Sequence, residues 1–407
     1  MATISGGGVT VFSNSGSNDA NGSSKIVQTN INNQLAAGTL TFTSPTTNPA
    51  TGAGLAVISV NGNFVLAPAV SSFILTSNGG SSTVTGSGAR GQNIIGDATN
   101  LTYFTNGGSG AIVTGDGNEL IGTPTVGGAG FSISTGIGND TVIAFSGNNT
   151  VSAGLGNNLI GSGISGGFAN NLIFSSGNDT ITGAGTGSDV VIQGTGNDFI
   201  TDGSKSLTFL GGSGAVTVIG GSATEFVSVG AGGGQVGGGS GGNNFLLGGT
   251  GSAGTTLFGG GNGDVLIARG SGQTVLVAAG GNETLSGAGS SGNNVFFTGT
   301  GNDVIGGGSG NDTILVGVSG SATVDGGAGA DIISFANRGT NGSTANILIN
   351  GFRPAEGDRV QLVGFASTQV AAIVGTAPTG SSTSVTLSDG TKITFAGVTN
   401  LSSSNFV

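Results

Sequence analysis

Cysteine, histidine and tryptophan are absent from the 407 residues, and methionine and tyrosine occur once each. Without imidazole or thiolate there is no Ser-His-Asp or Cys-His nucleophile system, no zinc site of the usual ligands, no haem and no ordinary iron–sulfur cluster. A metal bound by this chain must be a hard cation held by oxygen. Charge is scarce as well: 8 basic residues face 19 acidic ones, for a net charge of −11. That balance turns away nucleic acid and anionic membranes as partners and favours cations. No apolar run approaches the roughly 20 residues that span a bilayer, so the chain is read as not membrane-spanning. Its first residues, MATISGGGVTVFSNSG, lack the basic start and apolar centre of a secretory signal peptide.

What the chain has in excess is glycine, 89 residues of it. Collagen is excluded because glycine does not fall at every third position and there are only 6 prolines. Disorder is excluded because 35% of the residues are hydrophobic, with 21 phenylalanines, enough to build a core. The expectation is an all-β fold punctuated by glycine.

Three regions differ in texture. Residues 1–80 are the least repetitive, with a Pro-containing SPTTNPATG loop and the apolar stretches GLAVISV and NFVLAPAVSSFILT; they read as a β-rich N-terminal cap or assembly module. Residues 81–336 are a series of short runs of Val, Ile, Leu and Phe broken by Gly, Asn or Asp, each too short for a helix. Residues 337–407 hold half of the basic residues (Arg338, Arg353, Arg359 and Lys392). There ANILINGFRPAEGDRVQLVGF reads as strand, polar turn, strand, and SSTSVTLSDGTKITFAGV as a hairpin turning at Asp389-Gly390, a C-terminal cap.

A polar residue stands just before each apolar run and marks the repeat. Asp140, Asn149 and Asn158 are spaced by 9 and 9; Asp179, Asp189 and Asp198 by 10 and 9; Asp303 and Asp312 by 9. Asn244, Asp264, Glu283 and Asp303 step by 20, 19 and 20. Two short strands therefore make one coil of about 18–20 residues. Such a coil cannot bury its apolar face alone, so coils stack with strands pairing in parallel: a parallel β-roll or β-helix solenoid.

The strings GTGNDVIGGGSGNDTILVG (299–317) and DGGAGADIIS (325–334), with GIGNDTVIA, SSGNDTITG, GTGSDVVIQ, GTGNDFITD and GGNGDVLIA, resemble the G-G-x-G-x-D-x-U-x nonapeptide of RTX proteins. The resemblance implies a calcium-binding parallel β-roll. Ca²⁺ takes six to eight oxygens, from carboxylates and from carbonyls that Gly-rich turns can point inward. With two strands per coil, the carboxylate above a given one lies two slots away. Asp179 with Asp198 and Asp312 with Asp331, each 19 apart, meet this condition best; Asp264 with Glu283 and Glu283 with Asp303 follow. The candidate metal ligands are Asp140, Asp179, Asp189, Asp198, Asp264, Asp303, Asp312 and Asp331. Asn at 149, 158, 171, 244 and 294 is a poorer ligand, so many coils are expected to be metal-free, with Asn bracing turn backbone.

The ending SDGTKITFAGVTNLSSSNFV resembles the uncleaved tail of proteins exported by type I secretion, although no acidic residue stands beside Phe406. Asn-x-Thr strings arise from the repeat itself and are not read as glycosylation sites; no isolated carboxylate pair suggests a glycosidase. Two functions compete. One is a secreted, non-enzymatic structural protein, calcium-stabilised and self-associating head-to-tail or laterally into a surface layer or matrix filament. The other is a secreted calcium-dependent adhesin, or a protein that binds or acts on cell-surface polysaccharide.

Overall fold

The computed structural model describes residues 61–407 except 69, 76–79, 88–91, 97–99, 125–128, 164–167, 204, 318 and 340–344, and, before residue 61, the backbone of four strands. Of those four, Ala2–Gly6 and Val9–Ser13 pair antiparallel, and Thr41–Thr43 pairs in parallel with Gly54–Ile58. The SPTTNPATG loop lies outside the described residues. The chain divides into two compact units, residues 1–214 and 215–407.

In the first unit consecutive strands alternate between two parallel sheets. One sheet runs Gly54–Ile58, Val70–Leu75, Gln92–Gly96, Ser109–Val113, Gly130–Ser134, Thr150–Ser152, Asn171–Ser175, Ser188–Gln193 and Ser206–Leu210. The other runs from Asn63–Val65 through Ser81–Thr85, Asn100–Phe104, Leu120–Gly122, Thr141–Ala144, Leu159–Ser162 and Thr180–Gly183 to Asp198–Thr201. Parallel coiling is thus already under way before Ser81.

Because side chains alternate across a strand of three to six residues, each strand sends one or two apolar residues inward, and exact vertical register stacks them. Ile94, Ile112, Ile133, Val151, Ile173, Val191 and Phe209 form one column; Val84, Tyr103, Ile121, Val142, Ile160, Ile181 and Ile200 form the other, all buried. Each fully buried aliphatic contributes about 1.5–3 kcal/mol. Coils approach so closely that at Gly138 any side chain would run into the carbonyl of Gly117 in the coil before it.

The second unit repeats the scheme. One sheet runs from Phe226–Ser228 through Phe245–Leu247, Val265–Gly270, Thr284–Ser290, Asn302–Gly306, Ser321–Asp325 and Asn346–Asn350 to Lys392–Phe395. The other runs from Val216–Ile219 through Gly234–Gly237, Thr255–Phe258, Thr274–Val277, Val295–Phe297, Thr313–Val316 and Ile332–Ala336 to Arg359–Val363. Its columns are Val227, Leu246, Leu266, Leu285, Ile305, Val324, Ile349, Phe395 and Val218, Val236, Leu257, Leu276, Phe296, Ile314, Ile333, Val360. The fold is an all-β parallel solenoid, as the repeat distance implies.

At the C-terminus, Asn346–Asn350 and Arg359–Val363 lie in different sheets, so the turn between them is the corner of a further coil. Thr383–Thr386 and Lys392–Phe395 form the expected antiparallel hairpin, closed by the N–H of Leu387 on the carbonyl of Thr391, and the second strand of the hairpin pairs with Asn346–Asn350. One element departs from the sequence expectation: Thr368–Val374 (TQVAAIV) is a short helix, ended at Gly375. Two consecutive alanines and no glycine inside the run let helix propensity prevail, and Ile373 is buried.

Candidate functional site

The polar residue before an apolar run sits at a coil corner with its side chain buried, and its neighbour on the N-terminal side is exposed or half-buried. The two bond in opposite directions along the stack. The exposed Asn accepts from the next coil: Asn139 N–H donates to Asn118 Oδ1 (2.8 Å), Asn157 to Asn139 (2.9 Å), Asn197 to Asn178 (2.9 Å), and in the second unit Asn302 to Asn282 (3.0 Å) and Ala330 to Asn311 (2.9 Å). The buried residue accepts from the coil before: Glu119 N–H donates to Asp140 Oδ1 (3.0 Å), Asp140 to Asn158 (2.9 Å), Asn158 to Asp179 (3.0 Å) and Asp179 to Asp198 (3.1 Å). The opposite corner carries Asn149, Asn171 and Asp189 in the same way. The recurrent Asn-Asp and Asn-Asn pairs are therefore two antiparallel ladders of side-chain braces, each bond adding about 0.5–1.5 kcal/mol.

The second unit has two such buried ladders. Glu225 donates to Asn244 (2.8 Å), Asn244 to Asp264 (2.8 Å) and Glu283 to Asp303 (3.1 Å). On the other corner Asn294 donates to Asp312 (2.7 Å), Asp312 to Asp331 (2.8 Å) and Asp331 to Asp358 (3.1 Å). The structure thus stacks Asp179 directly on Asp198 and Asp312 directly on Asp331. It also brings in Glu119, Glu225 and Asp358, which repeat arithmetic misses. Asn118-Glu119 and Thr224-Glu225 do precede apolar residues, a usable signal; Asp358 is 27 residues beyond Asp331, outside the period.

Asn and Asp share the Oδ1 brace and differ at the other terminal atom. In Asn that atom is a donor and finds carbonyls: Asn244 Nδ2 donates to Gly239 O (2.7 Å) and Asn294 Nδ2 to Gly292 O (3.0 Å). In Asp it is a second anionic oxygen. For Asp264, Asp303 and Asp312 that oxygen accepts turn N–H groups, from Gly260 (2.7 Å) and Gly261 (3.0 Å), Gly299 (2.8 Å) and Gly308 (2.7 Å) respectively; for Asp179 it accepts from Ser175 Oγ (2.6 Å). Asp140, Asp198 and Asp331 leave it buried with no donor, as Glu119 and Glu283 leave both carboxylate oxygens. Asp189 alone among the eight candidates faces a cation, the Lys205 ammonium at 3.2 Å.

Burial raises these acids, and only Asp331 feels a cation, Arg353, which lowers it by less than burial raises it. Glu119 is pushed up to about 10, by desolvation and then by the neighbouring Asp140; Glu283 to about 8, by desolvation and then by Asp303; Asp331 to about 7, by desolvation and the Asp358 and Asp312 charges; Asp198 to about 6, chiefly by desolvation. A buried, donor-free, anionic oxygen is a place for a proton or a metal ion. At Asp331 the turn is shaped for it, since any side chain at Gly326 would occupy the space beside Oδ2. No group of three or more acids converges among the described residues, so a metal at these corners would take at most two carboxylates and complete its shell with turn carbonyls. The donor set, all oxygen and no nitrogen or sulfur, fits a hard cation.

Two-sheet parallel coils with glycine turns and buried acidic corners define a β-solenoid of the cation-binding kind. The family model of the RTX calcium-binding nonapeptide repeat matches in four copies, over residues 126–160, 277–314 and 316–334, so the chain carries RTX repeats and calcium is the metal they bind. Comparison with curated proteins gave no match.

Proposed function

We propose that the chain is an exported, non-enzymatic structural protein whose coils are locked by calcium and whose faces associate with further copies of itself into a filament or layer. The observation that carries this reading is apolar surface repeated in register on the outside of the coils. In one sheet of the second unit Ile219, Gly237, Phe258, Val277, Phe297 and Leu315 are vertical neighbours on the outer face, with Ile219 and Phe258 exposed. In the other sheet Phe226 stacks on Phe245 at 5.7 Å, and Val304 and Leu348 are exposed further along. Repeated apolar columns on the outside of a solenoid mark a surface meant to be covered, and a heterologous contact that does not close propagates. No helix among the described residues is long and apolar enough to cross a membrane.

Calcium ligation is assigned to the corners with donor-free carboxylates: Asp140 with Glu119, Asp198 beneath Asp179, Glu283 with Asp303, and Asp331 with Asp312. Ligands must be ionised, so binding couples to folding and to pH. Low calcium inside a cell then keeps these coils loose for export through a type I route, and calcium outside tightens them. Electron microscopy of the purified chain with and without calcium tests the reading: regular fibres or sheets that Phe258→Ser disperses support it, and dispersed monomers at every calcium concentration refute it.

A second reading rests on one feature. A shallow groove of about 370 Å³ on the second unit is bordered by Asn302, Thr323, Asn346, Lys392 and Thr394 around Val304 and Leu348. Amides and hydroxyls around a small apolar floor suit a sugar ring, and glycan-array binding lost in Asn346→Ala would favour an adhesin.

A further inference from the structure

Lys205 is the one basic side chain among the described residues that is fully buried. Its ammonium lies 2.5 Å from Ser162 Oγ, 2.9 Å from the carbonyl of Ala169, and 3.2 and 3.3 Å from the two carboxylate oxygens of Asp189. Ser162, Ala169 and Asp189 are themselves buried. The three N–H groups of the ammonium meet three acceptors from different coils, so the charge is paired and its donors are spent. The space is prepared for it: Gly163 sits at φ +67°, and a Cβ there would press on Lys205 Cε at 3.0 Å and on the carbonyl of Ala184. Asn171 Nδ2 completes the ring, donating to Ser162 Oγ (2.6 Å) and Asp189 Oδ1 (3.1 Å).

Hydroxyl, carbonyl and carboxylate oxygens around one positive charge are the donor set of a hard-cation site. We propose that this is a cation site whose resident occupant is the chain's own ammonium, tethered through Lys205, so that the corner where Ser162, Ala169 and Asp189 meet locks without metal. Removing the lysine side chain leaves a cage that accepts a small free cation of the same charge and size, an alkylammonium. The inference deepens the calcium reading, on which only the contrast with the metal-dependent coils rests. The same device recurs in weaker form in the second unit, where the Arg269 guanidinium donates to the carbonyls of Gly248 (2.7 Å) and Val229 (3.0 Å), Arg353 to that of Gly327 and Arg338 to that of Gly317. Positive charge is rare in this chain, and these four side chains direct it at backbone oxygens between coils.

Chemical rescue of the full-length protein in EGTA tests it. Lys205→Ala is expected to melt about 10 °C lower in the first unit. Tens of millimolar methylammonium should restore at least half of the loss, tetramethylammonium should restore none, and the wild type should respond to neither. Lys205→Met, which refills the stem but strands the Asp189 carboxylate, should stay low, and adding Asp189→Asn should raise it again. No rescue by methylammonium, or wild-type stability in Lys205→Met, overturns the proposal. Should Lys205→Ala fail to fold, hydrogen exchange of the wild type decides: amides of 188–193 equally protected with EGTA and with calcium support the cage, and calcium-dependent protection there refutes it. Calcium sensitivity at 299–334 is read in the same samples; its absence would sink the calcium reading while leaving the ammonium rescue standing.

Discussion

At Asp189 and at Asp331 the same corner geometry meets opposite electrostatic conditions. Both carboxylates are buried, and both brace the N–H of the slot residue one coil earlier, Asn171 at 3.1 Å and Asp312 at 2.8 Å. At Asp189 the remaining negative charge is answered by Lys205, whereas at Asp331 the second oxygen meets no donor, the neighbours Asp312 and Asp358 are acids, and Arg353 acts on Asp331 without forming an ion pair with it. A solenoid built from stacked coils gains little core per coil, so the charge state of its corners weighs heavily in whether neighbouring coils stay together. One corner brings its own cation; the other depends on an ion from solution.

The hardest way to break that comparison is to withdraw the ion. Chelation with EGTA should lower the melting of the second unit by about 10 °C or more, since each site filled at a hundredfold excess over Kd adds about 2.7 kcal/mol. Hydrogen exchange should show residues 299–334 losing protection while 188–193 keep it. Equal loss in both regions would erase the distinction between the two corners.

Most of this was legible in the residues. The step of 18–20 residues, the two strands per coil and the stacking of Asp179 on Asp198 and Asp312 on Asp331 follow from Asp or Asn recurring before apolar runs, because their short side-chain oxygen reaches the backbone N–H of the coil before it. What the repeat could not yield were the long-range partners. Lys205 is 16 residues from Asp189 and 43 from Ser162, and nothing local marks it as buried. Asp358 escapes because its coil is long, and the helix Thr368–Val374 because a seven-residue run within a β-chain carries no periodic signal. The two roles of Asn-Asp, one bond forward and one back, are likewise invisible until coils are stacked.

The pH dependence sharpens the contrast. Asp331, Glu283 and Asp198 have folded values near 7, 8 and 6, above the ordinary carboxylate range. The folded, metal-free state therefore holds protons that the unfolded state releases, so stability is full below about pH 4 and is lost as pH rises through 6 to 8. Thermal scans in EGTA should show stability falling between pH 5 and pH 8, by up to about 1.4 kcal/mol per pH unit for each group still below its folded value. With calcium present the slope should reverse, because the metal needs the ionised form. A metal-free protein that gains stability over this range would show that these acids are answered by something other than protons.

A smaller effect separates the metal cradle from the coil itself. Gly326→Ala puts a methyl group where Asp331 Oδ2 lies, so the carboxylate must move. The cost in EGTA should be about 1–3 kcal/mol, typical of overpacking, and the calcium-induced rise in Tm should shrink at the same time. Gly163→Ala in the first unit should cost a comparable amount through strain against Lys205 and the positive φ, yet leave the calcium response intact. Equal calcium responses in the two variants would mean that the Asp331 corner is not where the ion acts.

The smallest expected change concerns the exposed ladder, which both regions share. Asn311 Oδ1 accepts the N–H of Ala330 at 2.9 Å, and Asn178 Oδ1 that of Asn197 at 2.9 Å, in positions open to water. Replacing either by Ala removes one brace but leaves the freed N–H able to bond to solvent, so the loss should be about 0.5–1 kcal/mol, near the low end for a hydrogen bond. The same substitution one position later is not equivalent: Asp312→Ala strands the buried N–H of Asn294 and takes a carboxylate from the Asp331 corner. Urea denaturation of Asn311→Ala and Asp312→Ala side by side, with and without calcium, resolves the two contributions. Asn311→Ala should shift both curves by the same small amount, whereas Asp312→Ala should lose most where calcium is present. If the two variants behaved alike, the exposed and buried ladders would be energetically interchangeable, and the acidic residues would be nothing more than substitutes for asparagine.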